Sequence, residues 1–470
     1  MRNLRSIISG TGLLVLCVSS GFSQTKATSL PSAPGKSLSF LAQMQTAAPS
    51  GAAGPVASAP AADGTMTRQQ AEQMALKNNP RVSVSQLLAM AQKQVVRETR
   101  SYELPNLNGV ATVVGAEQAS RISSGSLEAS RMLNHAGAGL QLTQLITDFG
   151  RTRNLVASSS LQAKASLQST EATREDIVLA VDMAFYSALE AQATLKVAQS
   201  TVQARQSVSD QVGALTASKL RSTLDQSFAD VNLSQAKLLL LDAQDRENAA
   251  MAQLDEVLGL QSATEYTLVD ESEEPPSVPP SFDSLIAMAL QQRPDLQAQK
   301  LRHDADVRFA HAQRDQLLPT ISALGVVGYT PFGSPSYFNQ DWYGAAGASM
   351  SIPIFNGFRY HAQAEEADLR ARASDEVSRQ LTDVIVRDVR TAWLNANSAQ
   401  QRMAVTKQLL NEANMGLDLA QTRYNLGLSS IVELSQAQLQ QTQAQIDDAN
   451  ARLQYESDLA TIRFQTGTQP

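Results

Sequence analysis

Two short segments of the chain alternate between apolar and polar positions, in contrast to the long stretches around them. In the clearer segment, YGAAGASMSIPIF, the apolar set is Ala346, Ala348, Met350, Ile352 and Ile354. The side chains between them are mostly small or polar, and this period-two pattern predicts a strand with two unlike faces. Such a segment is about ten residues long, the length of a tilted membrane-crossing strand. AGLQLTQLITDF shows the same pattern more weakly, and a soluble hairpin packed on helices is the alternative.

Very long helices are predicted after these segments. Residues 151–258 contain no proline and only Gly213, and residues 360–426 contain only Gly416. A helix of about 60 residues rises about 90 Å and has to pack lengthwise on other helices. Heptad-spaced residues, interpreted as core positions, are Leu439, Ile446, Leu453 and Ala460, echoed by Val231 and Leu238.

The chain contains an internal repeat. MALKNNP, from Met74, reappears as MALQQRP from Met288. Each copy is predicted to have one shorter helix of about 35 residues, two strands and two very long helices, and Thr67 begins the first copy with a capping-box spacing. Repeat 1 is predicted at 65–260, with a hairpin at about 106–149 and long helices at about 151–213 and 222–258. A linker is predicted at 261–281. Repeat 2 is predicted at 282–468, with a hairpin at about 319–355 and long helices at about 358–425 and 430–465.

The aligned stretches QLITDFGR and IPIFNGFR mark the corners where a strand ends and a long helix begins. Asp148 aligns with Asn356, and both residue types cap helix N-termini well. Gly150 and Gly357 allow the backbone to turn. Asp-Phe-Gly also occurs in protein kinases, but the sequence lacks the glycine-rich loop, strand lysine and His-Arg-Asp loop that a kinase needs. The triplet is therefore interpreted as a strand-to-helix corner.

The N-terminus has the features of an export signal. Residues 1–23 combine basic residues, a short apolar run and small residues before the predicted cleavage site, and residues 24–64 are interpreted as a disordered leader rich in Ala, Pro, Ser and Gly. The only cysteine, Cys17, lies in the signal. The net charge of −7 argues against a nucleic-acid partner. No catalytic constellation, metal site or cofactor is predicted, so the chain is not expected to be an enzyme.

Four membrane-length strands in one chain cannot close a barrel, and open edges in lipid would leave backbone groups unsatisfied. The strands therefore predict an oligomer in which 8, 12 or 16 strands close together.

The order of these motifs, present twice, together with RYNLGLSSIVELSQAQ at 423–438, resembles the TolC family of outer-membrane channel-tunnel proteins. The resemblance implies a mostly α protein that is a homotrimer, with a 12-stranded β-barrel in outer-membrane lipid continuous with a periplasmic α-helical tunnel. It implies docking to a periplasmic adaptor protein and to an inner-membrane pump of RND, ABC or MFS type. The expected function is a passive exit duct for efflux or type I secretion. The alternative is a periplasmic coiled-coil adaptor, for which one hairpin without membrane-length strands would be expected.

The family's tip motif, Y-x-x-G followed by I-V-D-x-x-D, is matched by Tyr424, Gly427 and Glu433, with Gln436 in place of the second acid. The first-copy equivalent of Glu433 is Asp225. In a threefold ring these acids are expected to surround the periplasmic entrance and attract cations. The alternative is a solvated carboxylate stabilised by the helix dipole.

The two tips are expected to carry the adaptor contact. The tip residues are Leu426, Gly427 and Leu428 in the second copy and Lys219 and Leu220 in the first. A hydrogen bond from the Tyr424 phenol to Asp225 is further predicted to hold the entrance closed.

Overall fold

The structure of the chain is a computed structural model. It describes residues 64–115, 121–124, 127–131, 135–260, 266–270, 276–279, 281–332 and 342–468. The predicted signal and all of the predicted leader except Gly64 lie outside these residues, as does much of the linker. Within the described residues the chain is mostly helical, with a smaller antiparallel sheet.

The helices of the described residues fall into two series with the same order. They are α1 (Arg68–Asn78), α2 (Pro80–Ser101), α3 (Arg151–Ala217), α4 (Thr223–Leu258), α5 (Phe282–Gln292), α6 (Pro294–Arg314), α7 (Arg359–Asn425) and α8 (Ile431–Thr466). A single 3₁₀ turn, Asp315–Leu317, follows α6.

The prediction of one shorter helix per copy is wrong, because two helices occupy each of those segments. The first break is at Asn79, which is extended at ψ 123°, and the second is at Arg293. Each is followed by a proline, which disfavours helical backbone in the residue before it and is well placed at the first position of a new helix. Asn79 caps α2 by accepting the Arg81 N–H at 2.9 Å. The Thr67 capping box is present at the start of α1.

The two longest helices, α3 and α7, have 67 residues each, which corresponds to about 100 Å. Gly213 does not end α3, which continues to Ala217. A Cβ atom at Gly213 would lie 3.1 Å from the Gln226 side chain of α4, so the glycine allows the two helices to approach closely.

The strands of the described residues are β1 (Thr65–Met66), β2 (Asn106–Val114), β3 (Arg121–Ser124), β4 (Leu127–Arg131), β5 (His135–Thr147), β6 (Thr267–Leu268), β7 (Thr320–Phe332) and β8 (Trp342–Ser351). The main sheet has the order β2-β5-β7-β8, and every neighbouring pair is antiparallel. The separate hairpin β3–β4 was not predicted. The strand β8 ends before Ile352 and Ile354, which the alternating pattern had included.

The outer strands of the main sheet are solvent-exposed in the single chain, whereas most residues of β7 are only partly exposed. Every residue of β8 is exposed, although neighbouring side chains point to opposite faces. The outer strands β2 and β8 each have one neighbour within the chain. Among the described residues, the two edges of this sheet therefore pair with no further strand, and the β8 side chains are exposed on both faces.

The core lies between the helices and is rich in alanine. One cluster packs Phe185 of α3 against Leu254 and Leu258 of α4, and a second packs Ile385 of α7 against Tyr455 of α8. The heptad prediction is correct for the buried residues Leu453 and Ala460. It is wrong for three others, because Leu439, Val231 and Leu238 are exposed in the chain.

Candidate functional site

The connection between α7 and α8 forms a tight turn at Gly427. Gly427 has φ +73°, and the Leu428 N–H donates to the Arg423 carbonyl at 2.8 Å. This bond, with the Gly427 N–H to the Tyr424 carbonyl at 3.0 Å, is the Schellman arrangement that ends many helices. Ser430 then begins α8, where its hydroxyl accepts the Glu433 N–H.

The connection between α3 and α4 has the same geometry with a lysine in the glycine position. Lys219 has φ +59°, and the Leu220 N–H donates to the Leu215 carbonyl at 2.9 Å. Ser222 begins α4 with a capping box in which the Asp225 carboxylate accepts the Ser222 N–H at 3.4 Å. Lys219 and Gly427, which occupy equivalent positions in the two copies, therefore share one backbone conformation.

The apolar residues of both turns are exposed. Leu220, Leu426 and Leu428 are about 70% exposed, at 71%, 68% and 68%. These side chains pack against nothing substantial within the chain, as expected for a docking surface, and the adaptor contact stays a prediction.

Tyr424 is buried between the two turns. It is 2% exposed and packs in a cluster with Val212 of α3, Ala229 of α4 and Ile431 of α8. Burial raises the pKa of the Tyr424 phenol, and the nearby Arg221 opposes the shift. This cluster joins the tips of the two helix pairs.

The predicted hydrogen bond between Tyr424 and Asp225 is wrong within one chain. The Tyr424 hydroxyl is buried without a hydrogen-bond partner among the described residues, and Asp225 is instead engaged in its own helix cap. Beside this apolar cluster, Arg221 makes a polar contact between the tips, because its Nη2 donates to the Tyr424 carbonyl at 3.1 Å. Its guanidinium also lies 4.5 Å from the Tyr424 ring centroid.

Glu433 forms an ion pair with Arg423 at 3.2 Å, and both side chains are about half exposed. Gln436 lines the same α7–α8 groove as Glu433, together with Glu412 and Asp447. Within one chain this groove is acidic despite the amide at Gln436. An acidic ring needs several chains, so it stays a prediction, and the ion pair partly offsets the charge of Glu433.

The strand-to-helix corners have the predicted capping contacts with one difference in position. Asp148 Oδ2 accepts the Thr152 N–H at 2.7 Å, and Asn356 Oδ1 accepts the Tyr360 N–H at 3.5 Å. Each acceptor lies two residues before the helix N-cap. In both corners two consecutive residues have positive φ: Phe149 with Gly150, and Gly357 with Phe358.

Sequence reasoning missed Arg221 and a buried ionic cluster between α1, α3 and α8. Asp182 is 1% exposed and forms ion pairs with Arg68 at 3.3 Å and Arg463 at 3.5 Å. Arg68 also pairs with Glu72, and burial raises the pKa of Glu72 to about 7. The residues of this cluster come from sequence positions far apart, and none belongs to a motif.

The sequence model described as "Outer membrane efflux protein" matches residues 71–260 and 285–468, in two blocks that together cover most of the chain. The chain belongs to this outer membrane efflux protein family. The chain is therefore an outer-membrane protein, and it belongs to the class of channels that act in efflux.

Curated relatives of this family match over most of their length. "Outer membrane protein TolC" of Escherichia coli (strain K12) is 24% identical over 417 residues, which cover 85% of this chain and 82% of the relative. "Outer membrane protein OprJ" of Pseudomonas aeruginosa is 24% identical over 369 residues, which cover 78% of this chain and 76% of the relative.

Solved structures show the same fold as this family member. A membrane protein from Pseudomonas aeruginosa has a TM-score of 0.74 at 22% identity, covering 85% of this chain and 93% of that chain. The Campylobacter jejuni CmeC outer membrane channel has a TM-score of 0.73 at 17% identity, covering 85% of each chain. Among the described residues, no helix combines the length and apolar character needed to cross a membrane.

Proposed function

We propose that the chain is the exit duct of a tripartite efflux or type I secretion system. Substrate enters from an inner-membrane pump of RND, ABC or MFS type and passes passively through the periplasm and outer membrane. The tips at Leu220 and Leu426–Leu428 bind the periplasmic adaptor protein. The alternative function, an adaptor, is disfavoured because both halves of the chain match the outer membrane efflux family.

The observation that carries the proposal is the four-stranded sheet with both edges open. In the order β2-β5-β7-β8 with antiparallel neighbours, the edge strands β2 and β8 run in opposite directions. The β8 edge of one chain is therefore compatible with antiparallel pairing to the β2 edge of the next. Repeating this step closes an all-antiparallel barrel, and three copies give the 12 strands that the family resemblance implies.

The helices support the same ring. The helix α6 packs between α3 and α7, whereas its repeat equivalent α2 packs extensively on α3. The remaining surface of α2 exposes Val84, Leu88 and Val95 at helical spacing. By analogy with α6 in the second copy, we expect the α7 helix of a neighbouring copy to cover this surface.

Disulfide cross-linking in native membranes tests the ring. Val110 of β2 and Ala346 of β8 lie near the middle of the two edges. The double variant Val110→Cys with Ala346→Cys is expected to give covalent dimers and trimers on oxidation. Each single variant is the control, and the native Cys17 lies in the predicted signal. A monodisperse monomer in mild detergent, with no cross-linked species from any β2–β8 pair, would exclude the proposed ring.

A test in cells addresses transport separately. Gly427→Asp places a charge in the turn and strains its positive φ, since nonglycine residues rarely adopt this backbone. We expect loss of export with a normal yield of oligomer. Normal export in this variant and in Leu426→Asp would remove the tip from the adaptor surface.

A further inference from the structure

A groove between α3, α4 and α8 contains a buried cation that the fold leaves unpaired. Arg205 of α3 is 7% exposed, and its Nη1 has no hydrogen-bond partner among the described residues. Burial alone lowers the pKa of Arg205 to about 10, and no carboxylate among the described residues opposes the effect. Asp230 of α4 does not pair with Arg205, and its carboxylate instead accepts hydrogen bonds from the Ser209 hydroxyl at 2.7 Å and the Gln226 amide at 2.9 Å.

The lining of this groove provides no anion. The groove has a volume of about 620 Å³, and none of its lining residues, all of them described, is Asp or Glu. Its apolar surface includes Phe228, Val231 and Leu439, and amide groups such as that of Asn232 lie among them. A buried charge without a counter-ion is costly, so the fold retains Arg205 against its own stability.

The second repeat shows that a cation is not required at this position. The stretch AFYSALEAQ from Ala184 aligns with AWLNANSAQ from Ala392, and the same offset pairs Arg205 with Ala413, which lines the α7–α8 groove of about 900 Å³. That groove contains carboxylates, among them Glu412 and Asp447, and no basic residue. The grooves lined by these two aligned positions therefore differ in charge.

We propose that the Arg205 groove binds a small amphipathic organic acid. The carboxylate accepts a hydrogen bond from the guanidinium, and the apolar body lies on Phe228, Val231 and Leu439. The groove volume is within the range of about 300–1,000 Å³ found for small-molecule sites, which combine an apolar lining with few polar groups. A charge-assisted bond in such a site is stronger than its neutral equivalent. The site adds a ligand to the proposed duct, but its binding can be measured without transport.

Calorimetry on the full mature protein in lipid nanodiscs tests the site, with octanoate as the probe and octanamide as its neutral counterpart. We expect octanoate to bind at least about tenfold more tightly than octanamide, and Arg205→Met to weaken octanoate binding at least about tenfold. The matched control is Arg246→Met, at an exposed position of α4, which should bind as the unmodified protein does. Empty nanodiscs correct for partition of the probe into lipid.

Thermal unfolding distinguishes a loss of ligand binding in Arg205→Met from a loss of folding. Arg205→Met should melt no lower than the unmodified protein without ligand, because the removed charge has no partner to lose. Octanoate should raise the melting temperature of the unmodified protein and of Arg246→Met, but not of Arg205→Met. Equal binding of octanoate and octanamide, undiminished octanoate binding by a folded Arg205→Met protein, or no octanoate binding at all would overturn the proposal. Cross-linking from Val231→Cys to a partner protein, without octanoate binding, would likewise overturn the proposal, because a protein then covers the groove. The β2–β8 cross-link tests the ring separately.

Discussion

Arg221→Met should loosen the contact between the two tips without unfolding the chain. The substitution removes the Nη2 hydrogen bond to the Tyr424 carbonyl at 3.1 Å and the stacking on the Tyr424 ring at 4.5 Å. A hydrogen bond with a charged partner contributes about 1.5–3 kcal/mol, and an exposed cation–π contact about 0.5–1 kcal/mol. Because Arg221 is partly solvated, we take the lower part of this range, about 2 kcal/mol per chain. That free energy corresponds to about a 25-fold change in the local opening equilibrium.

Amide hydrogen exchange at the α7 tip measures this opening. The reporters are the Leu426 and Gly427 N–H groups, which bond to the Thr422 and Tyr424 carbonyls. Their exchange should accelerate about 25-fold in Arg221→Met, because each amide exchanges only when the turn opens. Single-channel conductance in planar bilayers gives a second reading, and it should increase if the tips restrict the entrance.

Two other variants at the same tip separate the possible causes. Arg423→Met breaks the half-exposed ion pair with Glu433, which should contribute at most about 1 kcal/mol. Tyr424→Phe removes a hydroxyl that has no hydrogen-bond partner among the described residues, so it should leave exchange and conductance nearly unchanged. If Arg423→Met matches Arg221→Met, the effect is one of surface charge. If Tyr424→Phe has the larger effect, the phenol is bonded in the assembled protein and the role given to Arg221 is refuted.

Three further predictions concern stability. Asp148→Ala should destabilise the start of α3 by about 1–2 kcal/mol, because Asp148 accepts hydrogen bonds from both the N–H and the hydroxyl of Thr152. The loss should appear as faster hydrogen exchange of the Thr152 amide. Unchanged protection of that amide would contradict the capping role of Asp148. Lys219→Gly should stabilise the α3–α4 turn by about 1 kcal/mol by relieving positive φ in a residue with a Cβ atom, and a lower melting temperature would contradict this. The Glu72 carboxyl has a folded-state pKa raised to about 7, so its contribution to stability is present below pH about 4.5 and is lost as pH rises through about 7. Glu72→Gln should therefore reduce the fall in melting temperature between pH about 4.5 and about 7. Part of the fall should remain, because the pKa of Glu175 is also raised to about 7. An unchanged dependence of melting temperature on pH would contradict the role given to Glu72.

The features that could be predicted well from the sequence are those determined by residues close together in the chain. The long helices follow from the near absence of Gly and Pro, and the corner contacts of Asp148 and Asn356 follow from the polar residue at each strand end. The helix break at Asn79 was missed although Pro80 indicates it, because the apolar pattern continues through the proline. The shared positive φ of Phe149 and Phe358 was missed because phenylalanine carries no signal for that backbone conformation.

The contacts that sequence could not predict join residues distant in the chain. Arg221 meets Tyr424 only because the ends of α3 and α7 come together, and no spacing in the sequence encodes that contact. The heptad pattern likewise could not distinguish the buried Leu453 from the exposed Leu439, since both positions are apolar and the difference depends on which helices lie alongside. The unpaired state of Arg205 required knowledge of every neighbouring side chain.

The pairing of β5 with β7 has a consequence for the order in which the chain folds. Gly139 of β5 lies opposite Gly328 of β7, and the two long helices α3 and α4, with α5 and α6, occur between these strands in the sequence. The hairpin β7–β8 closes locally, but the loop that joins β5 to β7 closes only at a large entropic cost unless the intervening helices have already docked. We therefore expect the helical hairpins to form before the centre of the sheet. We therefore expect the sheet, which enters the lipid in the proposed ring, to acquire its neighbours last, and its unpaired strands to be prone to aggregation until then.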